Sequence, residues 1–296
     1  MLAFCLLAPL LDVCSKLAAQ GGIPVGQITA ARFVVQCLLM LPITWAMGLS
    51  LRLSGRALGL VTLRAALLVF STFAFVSGIA VMPLADALAI VFVEPFILLL
   101  LGYLLFGDQV GPRRIAACIV GFGGALLVIQ PSLRAFGLIA LWPLGTAFSF
   151  AFYMLVTRQV SQIMHPVAMQ THTSWTGVLI CLPILLLMND GPVPDLDSVM
   201  PTGWMWLWLF GVGFWAAASH MCMTQALTWV PAATLAPLHY LEIVVAVALG
   251  YLVFGDLPNS LTFAGIAIIV GSGLYIIYRE RLAHKARTTL VLPEAP

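Results

Sequence analysis

The chain has 296 residues, of which 62% are hydrophobic and only 8% charged, with a formal net charge of +2 and a mean hydropathy of +1.09. A water-soluble domain of this composition lacks the polar residues to cover its own surface, so lipid must be the solvent for most of the chain. The 6 cysteines are scattered through apolar stretches without a Cys-x-x-Cys pair, which argues against a disulfide framework or a zinc site and leaves them as small packing residues.

In chain order, ten stretches of about 20 residues, the length that crosses a bilayer core, lie near 1 to 19, 25 to 47, 61 to 81, 83 to 106, 112 to 130, 136 to 157, 168 to 188, 203 to 228, 231 to 254 and 260 to 278. Short connectors rich in Gly, Pro, Asn and Asp separate them, such as 107 to 114, 189 to 195 and 255 to 260. The runs are too long and too continuously apolar for barrel strands, so the expected fold is an all-α integral membrane bundle. The apolar residues begin at Met1; Asp12 and Lys16 interrupt the first run, which argues against a cleaved signal peptide.

Residues 83 to 129 and 231 to 277 are two copies of one segment at an offset of 148, identical at 14 of 47 positions without a gap. The identities include Pro83/Pro231, Glu94/Glu242, and the blocks Leu101 to Leu104 and Phe106 to Asp108 with Leu249 to Leu252 and Phe254 to Asp256. A duplicated apolar segment that keeps a carboxylate at one depth suits a carrier built from two halves around a central site. Placing the N-terminus in the cytoplasm puts 10 of the 13 basic residues on or next to that side, among them Arg52, Arg56, Arg64, Arg113, Arg114, Arg158 and Arg279. Both termini are then inside. With five helices per half, the second repeat is inverted relative to the first. The expected divisions are 1–134 and 135–279 for the repeats and 280–296 for a basic cytoplasmic tail.

Ionisable residues within a membrane are costly and persist where they face a cavity or a partner. Here they are Asp12, Lys16, Arg32, Asp86, Glu94, His220, His239 and Glu242. Glu94 and Glu242 each follow their proline by 11 residues, about 16 Å at 1.5 Å per residue, so both should reach the midplane. Phe92 and the His239-Tyr240 step precede them and place aromatic surface nearby, for a planar or cationic ligand or for packing. Asp12 and Lys16, four residues apart, can neutralise one another, and Arg32 either faces the cavity or closes a gate with Asp12. The candidate pathway is therefore Glu94, Glu242, His239, Tyr240, Phe92, Arg32, Lys16 and Asp12. His220 lies in His-Met-Cys-Met, whose adjacent helical side chains diverge too much for a metal site. Small residues at Gly121 to Ala125 and Gly271 to Gly273 would let helices approach closely, inside the bundle or at a homodimer seam.

Pro83-Leu-Ala-Asp-Ala-Leu-Ala-Ile leading to Glu94-Pro95, then Gly102-Tyr-Leu-Leu-Phe-Gly-Asp and Gly121-Phe-Gly-Gly, resembles the drug/metabolite transporter superfamily, specifically its EamA-type proteins, over essentially the whole chain. The family usually closes the fourth and ninth spans with Gly-Glu, where this chain has Gly107-Asp108 and Gly255-Asp256. The resemblance implies a carrier of a small metabolite in the cytoplasmic (inner) membrane, with no cofactor and no nucleic-acid partner. Members move amino acids, nucleotide sugars, riboflavin, S-adenosylmethionine and drugs, and riboflavin and amino acids are the cargoes to test first. A membrane-embedded enzyme is disfavoured: the chain has no His-x-x-x-His pair, Gly-x-Ser-x-Gly elbow or phosphate-binding loop. A non-transporting sensor or scaffold is the other alternative, separable by binding without flux.

Overall fold

The computed structural model describes residues 1–53, 55–106, 112–229, 235, 238 and 240–290, which form helices and connecting turns with no strand among them. The helices are α1 (Leu2–Gln20), α2 (Val25–Ala46), α3 (Gly55–Ile79), α4 (Leu84–Val91), α5 (Glu94–Phe106) and α6 (Pro112–Phe136). They continue as α7 (Trp142–Val160), α8 (Pro166–Met188), α9 (Met205–Trp229), α10 (Tyr240–Leu249) and α11 (Ser260–Leu290). Seven helical stretches are long and apolar enough to cross a membrane; one of them, Ile115–Val160, runs through both α6 and α7. Shorter apolar helices cover Leu241–Phe254 and Ser260–Tyr275. This is a multi-pass helical membrane protein.

The surface confirms its solvent. Large apolar side chains such as Leu38, Leu104, Ile119, Leu186 and Leu187 point outward, a pattern that lipid tolerates and water does not. Polar residues do the opposite: Asp12, Lys16, Arg32, Arg64, Glu94, Gln170, His220 and Glu242 are all buried.

Local sequence explains where helices begin and break. α8 opens on Pro166, whose missing N–H costs nothing at a first turn, and the His165 side chain accepts from the Val167 N–H at 3.3 Å. Between α4 and α5 the chain makes a turn at Phe92 and Val93. Pro95 cannot donate to the Val91 carbonyl four residues back, and its ring crowds that carbonyl, so the helix is interrupted one residue before Glu94. Beyond α10 the helix widens into a π-turn, Gly250–Phe254, and ends at Gly255 with φ 70°, a left-handed conformation that glycine adopts without strain.

The principal packing pairs are α1 with α9, α3 with α7, α2 with α8 and α9, α3 with α8, α1 with α10, α5 with α7, and α6 with α11. Exchanging the helices of the first half for those of the second returns the same set: α1/α9 becomes α7/α3, α2/α9 becomes α8/α3, and α1/α10 becomes α7/α5. The α6/α11 seam is set by small residues, because a Cβ on Gly265 would meet the Gly124 carbonyl oxygen at 2.6 Å. Gly124 was expected in such a role. Gly123 and Gly271, expected there too, have open space instead.

Candidate functional site

Five of the eight candidate residues line one central cavity. Asp12 of α1, Arg32 of α2, Phe92 and Glu94 at the α4/α5 break and Glu242 of α10 line a space of about 90 Å³, with Phe4, Phe75, Phe150, Thr72 and His220 also in its wall. The two duplicated glutamates thus reach the same cavity from opposite halves of the chain. Asp12 interacts electrostatically with Arg32, while the Arg32 guanidinium donates to Thr72 Oγ1 and, at 2.7 Å, to His220 Nε2.

That second contact defines the imidazole. A guanidinium only donates, so His220 Nε2 must be the acceptor and the ring proton sits on Nδ1, where it meets Tyr153 Oη at 3.2 Å. Tyr153 Oη also accepts from Arg64 Nη2 at 2.7 Å. Arg32, His220, Tyr153 and Arg64 therefore form one hydrogen-bonded line running from the cavity wall into the bundle.

Arg64 is fully buried. It was expected near the cytoplasmic boundary, but α3 begins at Gly55, which places Arg64 nine residues, or about 14 Å, inside the helix. Its Nε donates to Thr157 Oγ1 at 2.8 Å, Nη1 to Thr173 Oγ1, and Nη2 also to Gln170 Oε1 at 3.0 Å and Thr224 Oγ1 at 3.3 Å. Its ring contact is Tyr153, 4.7 Å from guanidinium carbon to centroid. All five hydrogen-bonding partners are neutral.

The positions along the helices order what lies on each side of this cage. On α3, Arg56 and Leu60 precede Arg64, and Leu68 and Thr72 follow it; on α7, Thr146 and Phe150 precede Tyr153, and Gln159 follows. Leu68, Thr72, Thr146 and Phe150 line the central cavity. Arg56, Leu60 and Gln159 line a second cavity of about 740 Å³, together with Arg52 and His165. The Arg64 cage is the layer between them.

Lys16 does not line the cavity. It was expected to neutralise Asp12, yet its Nζ lies 2.7 Å from Asp256 Oδ2 and donates to the Met82 carbonyl at 3.2 Å, with the Phe254 ring 4.7 Å away. The Gly255 turn brings Asp256 to it, so the second repeated Gly-Asp step acquires a physical purpose: glycine makes the turn and aspartate ties the end of α10 to α1. The corresponding Gly107-Asp108 and the candidate His239 lie outside the described residues. So does the side chain of Tyr240, whose backbone opens α10.

Three constituents were absent from the candidate pathway. His220 was counted among the ionisable residues within the membrane and weighed further only as a metal ligand, and neither Tyr153 nor Arg64 was among the candidates. The partners of Arg64 come from α7, α8 and α9, a convergence that no spacing along one helix reveals.

A family model described as the EamA-like transporter family matches residues 1–130 and again 137–279. The chain is 31% identical over 207 residues to a riboflavin transporter of Rhizobium johnstonii, covering 70% of this chain and 66% of that protein. It is 27% identical over 272 residues to a riboflavin transporter of Vibrio cholerae, covering 91% and 88%. It is 24% identical over 257 residues to an S-adenosylmethionine uptake transporter of Rickettsia felis, covering 87% and 84%. A protein of known crystal structure superposes with a TM-score of 0.70 at 18% identity, over 95% of this chain and 97% of that one, which shows the shared fold. Two matched segments that together span nearly the whole chain place it in a family of transporters: the chain belongs to the EamA-like transporter family.

Proposed function

We propose that the protein is a secondary carrier that moves a small organic metabolite across the cytoplasmic (inner) membrane by alternating access. In this reading its ten spans form two inverted five-helix repeats, 1–134 and 135–279, with both termini and the tail 280–296 in the cytoplasm. The observation that carries it is the central cavity, lined by a carboxylate from each half of the chain and lying between two ties. One end is held by Lys16 with Asp256 and the other by the Arg64 cage. Opening either tie while the other holds would expose the same carboxylates to one side at a time. The exchange symmetry of the helix pairs supports rocking of two similar bundles.

Riboflavin is the cargo we propose to test first. The relatives with that function motivate it, and so do the aromatic walls of Phe4, Phe75, Phe92 and Phe150, which would stack on a planar ring. The cavity of about 90 Å³ is well under the roughly 300 Å³ and more of ordinary ligand sites. The present form is therefore read as closed around its site, and cargo binding must widen it.

The test is riboflavin flux into liposomes containing the purified protein, with Glu94→Gln and Glu242→Gln alongside. Glutamine keeps the size and hydrogen-bonding capacity and removes the charge. Flux by the unaltered protein is expected, and at least one substitution should lower it about tenfold or more, the usual scale for losing a membrane-buried carboxylate that serves function. If both variants match the parent in rate and affinity, the glutamates are packing elements and the cavity is not the site.

A further inference from the structure

We infer that the Arg64 cage is a binding subsite for an anionic oxygen group, a carboxylate or a phosphate, that the neutral side chains around it occupy only while the path is closed. The first ground is the missing counter-ion. A buried guanidinium is costly and is ordinarily retained with a carboxylate beside it. Among the described residues the only ion pair is Lys16 with Asp256, and Arg64 has hydroxyls, an amide oxygen and an aromatic face.

The second ground is independent of the charge. Gln170 gives its Oε1 to Arg64, but its Nε2 is fully buried and has no acceptor. Gln36, one turn along α2 from Arg32, is likewise buried with neither amide atom paired. Unmet buried donors are rare and costly. An incoming oxyanion would accept from Gln170 Nε2 and from two guanidinium nitrogens at once, the fork geometry that suits arginine and not lysine.

The third ground is position. Arg52 and Arg56 line the larger cavity on one side of the cage, and Arg32 lines the central cavity on the other. Arginines thus mark successive levels of one path, and the carboxylates Asp12, Glu94 and Glu242 are gathered in the central cavity. Neutral threonine and tyrosine hydroxyls can exchange for an anion as the layer opens, whereas a resident carboxylate would compete with it. The group belongs either to the cargo or to a free anion moving with it. The location of the subsite on a transport path rests on the carrier reading; its ability to bind an anion does not.

The test is thermal unfolding of the full chain in lipid nanodiscs, titrated with sodium acetate or sodium phosphate while a bulky sulfonate holds ionic strength constant. The midpoint should rise saturably with at least one probe. Arg64→Lys, which keeps the charge and loses the fork, should need about tenfold more probe for the same rise, and Arg64→Gln should show no rise. Absence of a saturable rise in the parent overturns the subsite, as does an undiminished rise in Arg64→Gln. If Arg64→Gln does not fold, Arg64→Lys decides, and an unchanged concentration dependence there is equally fatal. Two further arms identify the source. A free anion makes riboflavin flux depend on added acetate or phosphate, whereas a cargo-borne group makes riboflavin 5′-phosphate, but not riboflavin, suppress the response to inorganic phosphate. Loss of riboflavin flux with the phosphate response intact removes the proposed cargo and leaves the subsite standing.

Discussion

Lys16 and Arg64 are both buried cations, but among the described residues only Lys16 has an acid beside it, and the difference assigns them different work. Lys16 with Asp256 joins residues 240 apart in sequence, so it ties α1 to the turn that follows α10. Asp256 keeps 32% of its side chain exposed, which puts the pair between the weak exposed case and the strong buried one, about 1–2 kcal/mol. Lys16→Met and Asp256→Asn should each lower the unfolding midpoint by a few degrees. The double variant should be less destabilised than the sum of the two, because the second change removes no further interaction. Strict additivity in that cycle would show that the pair contributes no coupling. The sequence pointed to Asp12 as the partner because spacing within one helix reveals only neighbours three or four residues apart. Asp256 is reached through a left-handed glycine turn 240 residues away. Arg64 was misplaced for a related reason: the continuous apolar run begins near residue 61, so the first turns of α3, with Gly55, Arg56 and Gly59, read as a connector.

At the scale of the element, the break between α4 and α5 was half visible. Pro95 beside Glu94 was legible, and so was the duplicated carboxylate. The residue matching Pro95 in the second copy is Ile243, which has an N–H to donate. Glu94 therefore sits at the start of α5 just after a turn, whereas Glu242 lies within the first turn of α10. Pairs of duplicated residues need not be equivalent when one of them follows a helix breaker. Pro95→Ala restores the donor that the Val91 carbonyl lacks and permits one continuous helix. The unfolding midpoint should hold or rise, since a proline penalty is removed. Riboflavin flux should fall about tenfold or more, because a displaced functional group loses rate steeply with small misplacement. Unchanged flux with a raised midpoint would mean that the break serves no part of transport. The glycine stripes show the same partial legibility: small residues predicted a close helix seam, and Gly124 fulfils it, but its partner Gly265 lies six residues before the stripe read from the sequence.

For the whole molecule, the helix pairing returns itself when the halves are exchanged, and an odd number of spans per half would make that exchange an inversion. Membership of the family and the multi-pass character were readable from composition and motif, since both depend on residues close in sequence. The orientation depends on charges at the membrane faces. Removing Arg64 from the cytoplasmic set weakens the count slightly, and Arg158 is engaged in capping, donating to the Leu227 carbonyl at 2.6 Å. In the proposed orientation the remaining basic residues of that set lie on the cytoplasmic side, and the segment with Asp190, Asp195 and Asp197 lies on the other. That acidic segment is held by hydrogen bonds to α2 and within itself. Gln27 Nε2 donates to the Val199 carbonyl at 2.8 Å, and its Oε1 accepts from the Val199 N–H at 2.9 Å. Asp197 Oδ1 accepts from the Asp190 N–H at 3.0 Å. Val193 is exposed within it, while Cys5, Cys14, Cys37 and Cys181 are buried and should react slowly with a charged maleimide. In intact cells Val193→Cys should therefore be labelled from outside, and a reporter active only in the cytoplasm should function when fused after Pro296. Labelling of Val193→Cys that requires permeabilised cells would reverse the orientation, turn the Lys16–Asp256 tie into the inner gate, and place the Arg64 cage on the path from outside.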